Sequence, residues 1–166
     1  MMSAGKSTVG RLLARRLKRS FYDTDEEIER RCGVRIPVIF DIEGEAGFRA
    51  RETQIIAELC ALDNAVIATG GGAVLAVENR RIIAAGGTVV YLHARPPHLW
   101  HRVRHDRNRP LLATTDPQKK LDALYVERDP LYREVADLVV DTGKQSVQTL
   151  AKDLLTRLDG ICSLSA

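Results

Sequence analysis

Aromatic side chains make up only 5% of the chain, and no stretch approaches the ~20 consecutive apolar residues that a membrane-spanning helix requires. No membrane partner is expected. Cysteine is sparse and odd in number, and Cys32, Cys60 and Cys162 form no C-x-x-C pair. That argues against a secreted disulfide scaffold and for a reducing, cytoplasmic location. A large excess of either charge is also missing. Lys and Arg total 25 against 22 Asp and Glu, a net +3, too little for a nucleic-acid binder yet compatible with small anionic ligands. With 12 Gly and 6 Pro in 166 residues, collagen-like and disordered classes are excluded. No repeat, linker or low-complexity tract interrupts the chain, so one domain over residues 1–166 is expected, and a monomer is the expectation carried with it.

What the chain does carry is an alternation of helix and strand signals. Val9, Leu12, Leu13 and Leu17 recur at helical spacing behind Gly5. Phe21-Tyr22 is a short apolar pair ending in Asp23-Thr24-Asp25. Thr24 with Glu27 reads as the capping box of a helix from about Asp25 to Arg31, and Gly33 as its C′ residue. Pro37 suits the first turn of a short helix carrying Val38, Ile39 and Phe40, Gly44 breaks it, and Phe48, Glu52, Ile55, Ile56 and Leu59 continue helically to about Ala61. Val66 to Thr69 is a strand closed by Gly70-Gly71-Gly72. Glu78 to Ala85 predicts a helix, Thr88 to Leu92 a strand, and Pro97 to about His105 a helix. Lys119 to Arg128 is helical, Leu138 to Val140 a strand, and Val147 to Leu158 a closing helix. This order predicts an α/β fold, a doubly wound parallel sheet with helices on both faces. Ligands of such sheets bind at the carboxyl ends of the strands, where Asp23, Asp25 and Gly70 to Gly72 fall.

Ala4-Gly5-Lys6-Ser7-Thr8 matches the second half of the phosphate-binding loop G-x-x-x-x-G-K-[ST]. In such a loop, N–H groups at a helix start cradle phosphate, the lysine neutralises it and the hydroxyl reaches Mg²⁺. The template's first glycine would precede Met1, as would the strand leading into it. The basic, acid-free N-terminus also suits a cleaved transit peptide, and a solvated surface lysine is the plain alternative for Lys6. Asp23 and Asp25 at a strand end suit a metal ion and a substrate hydroxyl; an acidic helix start also suits the helix dipole. Glu45, Arg49 and Glu52 share one helical face, either as a solvated ion-pair ladder or with Glu52 holding Arg49 for an anionic substrate. Arg128 is a second candidate for that clamp. Arg107 and Arg109 lie in a polar loop, about residues 106–118, which reads as a mobile lid or as a plain basic loop. His98, His101 and His105 share a helical face, but a polar outer surface is enough to explain them.

Taken together, A-G-K-S-T (4–8), F-Y-D-T-D (21–25), I-F (39–40), G-E-A-G-F-R (44–49), A-T-G-G-G-A-V (68–74), V-V-Y-L (89–92), R-P-L-L (109–112) and E-R-D-P-L-Y (127–132) resemble shikimate kinase over nearly the whole chain. The resemblance implies a P-loop NTPase fold of the nucleoside-monophosphate-kinase type. It implies ATP- and Mg²⁺-dependent phosphorylation of the shikimate 3-hydroxyl, a step of aromatic amino-acid biosynthesis. It displaces the transit-peptide reading, because residues 5–8 then belong to the fold. It implies Ala4, Gly5, Lys6, Ser7 and Thr8 on ATP, Arg102 against adenine and Arg109 as the lid arginine. Ser7 and Asp23 would serve Mg²⁺, and Asp25 the attacking hydroxyl. Arg49, Gly70, Gly71, Gly72 and Arg128 would hold shikimate, with Glu52 bracing Arg49 and residues of about 25–52 forming the shikimate-binding region. The family's first strand and Gly-Pro are not in this sequence, and Ser3 stands where a glycine is usual. A start assigned too far downstream accounts for this, the alternative being an N-terminally truncated, weak or inactive homologue that binds shikimate. Another small P-loop kinase, such as a gluconate kinase, is the remaining rival.

Overall fold

The computed structural model describes residues 4–103, 116–143 and 145–164. The first helix, α1 (Lys6–Leu17), starts after Gly5, whose left-handed backbone (φ 91°, ψ 16°) is one that glycine adopts without steric penalty. No side chain caps this N-terminus and no acid occupies its first turn. Arg15 and Arg16 in the last turn suit the opposite end of the dipole.

Strand β1 (Ser20–Asp23) leads into α2 (Thr24–Cys32) and α3 (Ile36–Cys60), and β2 (Ala65–Ala68) returns beside β1. The two strands are parallel, with Ser20 opposite Ala65 and Asp23 opposite Ala68. Thr24-Asp25 and Thr69-Gly70 therefore leave the ladder side by side at its carboxyl end. Gly44 interrupts the helical dihedrals of α3 (φ 69°, ψ −176°), as the sequence predicts, so the helix is kinked there.

The second half repeats the plan. After a 3₁₀ turn (Ala73–Leu75) come α4 (Val77–Ala85), β3 (Val90–His93), α5 (Pro96–Val103), α6 (Pro117–Val135), β4 (Leu138–Asp141) and α7 (Val147–Leu164). β3 and β4 are parallel, with His93 opposite Asp141. Parallel strands joined by helices fit the expected α/β class. Among the described residues the four strands form two separate ladders, β1–β2 and β3–β4, because no described strand stands between β2 and β3 to join them. A narrow cavity of about 60 Å³ lies there, lined by Lys6, Thr69, Val74, Tyr91 and Tyr132 among others.

Three local expectations are corrected. Asp23, not Thr24, caps α2. It is the last strand residue, with extended dihedrals, and its carboxylate accepts the N–H of Asp25 at 3.1 Å. Thr24 is already helical, and Glu27 pairs with Arg30 and Arg31 instead of closing a capping box. Helix α6 does not stop at Arg128 but continues through Pro130 to Val135. Proline removes one helical bond, and the cost is small where Val126, a turn back, is exposed. Helix α7 likewise continues past Leu158 to Leu164.

Two apolar cores hold these layers. The larger joins Val9 and Leu13 of α1 to Tyr91 and Leu92 of β3 and to buried leucines of α5, α6 and α7. The smaller joins Ile28 of α2 to Ile39, Phe48, Ile55 and Leu59 of α3. No helix among the described residues is long and apolar enough to cross a membrane.

Candidate active site

The β1–β2 register brings two strand ends and two helix starts to one place. At the start of α1, Ser7 Oγ donates to Asp23 Oδ2 at 2.6 Å. The hydroxyl and the carboxylate are thus adjacent hard oxygens, the donor chemistry Mg²⁺ prefers. Among the described residues no group of three or more His, Cys, Asp or Glu forms a cage for a metal ion. A site that leaves most coordination positions to phosphate and water suits Mg²⁺. Ala4 is buried behind the loop and Thr8 is exposed.

Asp25, two residues on, has its carboxyl pushed up to about 6, first by burial, then by the neighbouring charges of Asp23 and Glu52, with Lys6 pulling the other way. Such a group is mostly ionised at neutral pH yet accepts a proton readily. Its neighbour Thr24 is fully buried and its Oγ1 accepts the N–H of Gly70 at 2.9 Å. This bond ties α2 to the turn after β2.

That turn, Gly70-Gly71-Gly72, is where the chemistry converges. A Cβ at Gly70 would lie 2.7 Å from Asp25 Oδ1 and 2.8 Å from Glu52 Oε1, and one at Gly72 would lie 2.5 Å from Arg49 Nη1 and Nη2. Only backbone fits between these groups. Arg49 is held by Glu52 Oε2 at 2.6 Å from Nη1, and by Glu45 Oε1 at 3.2 Å from Nη2. The Glu52 side chain is 1% exposed against 66% for Glu45, so the first contact is the one that fixes the guanidinium. Burial raises the Glu52 carboxyl above its ordinary value, against the pull of Arg49 and Arg128. From the opposite side, buried Arg128 on α6 donates from Nη1 to Gly71 O at 2.9 Å. Two buried polar atoms here, Glu52 Oε1 and Arg128 Nε, have no hydrogen-bond partner. An orphaned acceptor and donor beside one glycine turn suit a small polar ligand.

The structure thus brings together Asp25, Arg49, Glu52, Gly70 to Gly72 and Arg128, with Lys6, Ser7 and Asp23 alongside. Arg109 and most of the 106–118 loop lie outside the described residues, as does the Arg102 side chain on α5. Sequence reasoning missed Thr24 in its bond to Gly70, and Tyr132, whose hydroxyl donates to Gly71 O at 2.6 Å. It also missed Arg80, whose Nη1 donates to Val74 O and Leu75 O and so steadies the turn that follows. The only available signal was Tyr132's place in E-R-D-P-L-Y.

Comparison with known proteins points to one family. The shikimate kinase family matches residues 2–159. A shikimate kinase of Cupriavidus pinatubonensis is 60% identical over 159 residues, 96% of this chain and 83% of that protein. One of Burkholderia pseudomallei is 59% identical, again over 96% of this chain and over 86% of its own length. Among solved structures, the shikimate kinase of Acinetobacter baumannii in complex with shikimate superposes with a TM-score of 0.92 at 46% identity, covering 96% of this chain and 89% of that one. The chain belongs to the shikimate kinase family.

Proposed function

We propose that the glycine turn and the side chains around it are where this chain carries out its family's reaction, transfer of the γ-phosphoryl group of ATP to the 3-hydroxyl of shikimate. The observation that carries the reading is the convergence on three glycines of a raised carboxyl, an ion-paired arginine and a carbonyl-anchored arginine. Shikimate offers what these groups ask for: a carboxylate for the arginines and hydroxyls for the acids.

In this reading, Lys6 and the uncapped N-terminus of α1 receive the ATP phosphates, with Ala4, Gly5 and Thr8 completing the loop. Ser7 and Asp23 would hold Mg²⁺, which when bound would offset the charge that develops on the transferring phosphate. Arg49 and Arg128 grip the substrate carboxylate. Asp25 takes the proton of the attacking hydroxyl, and its value near 6 leaves it ionised at the working pH. Because phosphoryl transfer passes through a loose transition state, positioning and charge neutralisation supply most of the acceleration. By family resemblance Arg109 would serve the phosphates and Arg102 the adenine. We further read the enzyme as a cytoplasmic monomer and residues of about 25–52 as its shikimate-binding region.

The test is a kinase assay with shikimate, gluconate and nucleoside monophosphates as acceptors, paired with calorimetry on two variants. Arg49→Ala and Arg128→Ala should each weaken shikimate binding roughly tenfold or more, the worth of a charge-assisted bond, and leave MgATP binding nearly unchanged. Faster turnover of gluconate than of shikimate, or equal loss of nucleotide affinity in both variants, would overturn the assignment.

A further inference from the structure

Tyr132 has no role in the phosphate loop, the acid pair or the arginine clamp, yet it touches the centre of the site. It stands on α6 one turn beyond Arg128 and is 8% exposed. Its hydroxyl donates to Gly71 O at 2.6 Å, and Arg128 Nη1 donates to the same oxygen at 2.9 Å. A carbonyl oxygen has two lone pairs, so these two donors occupy both.

We propose that Tyr132 is a positioning residue for substrate binding: it fixes the Gly71 carbonyl, and through it the guanidinium of Arg128. The inference rests on the reading in which Arg128 grips the substrate carboxylate. Arg128 Nε has no hydrogen-bond partner, and its ion-pair neighbour Glu127 Oε2 is 3.9 Å away. Among these contacts only Nη1 is hydrogen-bonded, at Gly71 O. The direction of the rest of the fork therefore depends on where that one oxygen sits. With the hydroxyl gone, a single donor remains on the oxygen and the glycine turn is free to tilt.

Tyr132 is itself held from two sides. Its ring stacks on Tyr91 of β3, with centroids 4.7 Å apart and planes 19° from parallel. Tyr91 donates its hydroxyl to Asp129 Oδ1 at 2.9 Å, and Arg133 Nε meets Asp129 Oδ2 at 2.7 Å. Strand β3 and the outer face of α6 thus set the ring plane, and the ring delivers its hydroxyl to Gly71. Burial pushes the Tyr132 phenol up to about 12, so it remains a donor at any assay pH. A tyrosine kept only for packing would not need this oxygen.

Tyr132→Phe keeps the ring and its stack and removes only the hydroxyl. We expect the KM for shikimate to rise roughly three- to tenfold, the worth of one neutral hydrogen bond, with kcat and the KM for MgATP within about twofold of wild type. In an Arg128→Ala background the same change should add nothing to the shikimate KM, because the tyrosine then has no fork to aim. Leu154→Ala, in the same apolar core but on α7 and outside the site, serves as control: it should lower Tm without moving the shikimate KM. An unchanged shikimate KM in Tyr132→Phe, an equal rise for MgATP, or a full additional loss in the Arg128→Ala background would each overturn the proposal. A wild-type enzyme that ignores shikimate would instead defeat the substrate assignment beneath it.

Discussion

Gly72 is a position where one methyl group separates the clamp from the fold. Its backbone (φ −103°, ψ −4°) is open to any residue, so Gly72→Ala brings no backbone strain. The added Cβ would, however, lie 2.5 Å from both Nη atoms of Arg49 and 2.8 Å from its Cζ. Something must move, and the guanidinium is the end of a long, flexible side chain. Moving it breaks the 2.6 Å bond to Glu52 and leaves a carboxylate that is 1% exposed without its partner. An unsatisfied buried group of this kind costs about 1–3 kcal/mol, and for a chain of this size each kcal/mol lowers Tm by about 2–4 °C. The larger consequence is functional. A displaced Arg49 forfeits a charge-assisted contact of ~1.5–3 kcal/mol, or a roughly 10- to 150-fold weaker Kd for shikimate, while MgATP affinity should hold. Calorimetry with each ligand and a thermal melt read the three quantities separately. Arg49→Ala provides the internal check, since the same substitution in that background has nothing left to displace and should add little. Wild-type shikimate affinity in Gly72→Ala, with only Tm lowered, would refute the reasoning.

Further outcomes follow from Asp25 and Ser7. Asp25→Asn should cut kcat by ~10²–10⁴, towards the lower end because a loose transition state needs little base help, while in the wild type kcat/KM should fall on the acid side with a midpoint near pH 6. The same variant should melt higher than wild type at pH 7.5. The folded carboxyl sits above its unfolded value of 3.8, so the ionised form costs stability above pH 6, and the variant's advantage should vanish between pH 6 and about 4; a lower melting temperature at pH 7.5 with near-normal kcat would reject Asp25 as the base. Ser7→Ala removes a hydroxyl that bonds Asp23 at 2.6 Å, and should raise the Mg²⁺ concentration for half-maximal activity roughly tenfold, the worth of ~1.4 kcal/mol in one lost contact; an unchanged Mg²⁺ titration would remove Ser7 from the metal's neighbourhood.

The alternation of helix and strand was legible because each element carries its own signal: period in α1, a short apolar run in β1, glycines at Gly33 and Gly44. The grouping of Asp25, Arg49, Glu52, Gly70 to Gly72 and Arg128 was legible only through motif order, since local periodicity sets Glu52 on the stripe of Phe48, Ile55, Ile56 and Leu59 but does not say which groups it meets there. Long-range choices were not legible. Thr24 satisfies a capping template as well as Asp23 does. What decides is the strand register, which sets Asp23 opposite Ala68 and so places Thr24 within reach of the Gly70 N–H. Tyr132 meets Gly71 by the same kind of long-range placement, across 61 residues. Pro130 reads as a stop, yet α6 passes through it with Val126 exposed one turn back.

The two arginines are held by different physics, and this makes the clamp asymmetric. Arg49 belongs to α3, over the smaller core, and is aimed by a buried carboxylate; Arg128 belongs to α6, over the larger core, and is aimed by a neutral carbonyl. Burial already holds the Glu52 carboxyl above its ordinary value. Acidification therefore neutralises the brace of Arg49 earlier than it would an exposed glutamate, and that arm keeps only its longer contact with exposed Glu45. The Arg128 arm has no titrating hydrogen-bond partner near neutral pH, because Gly71 O and the raised Tyr132 phenol do not change charge there. On the proposed reading, shikimate binding should then weaken on the acid side chiefly through Arg49, whose hydrogen-bonded partner is lost, while Arg128 keeps its bond to Gly71 O. The glycine turn joins the two arms, and its missing side chains let groups from both cores meet across it.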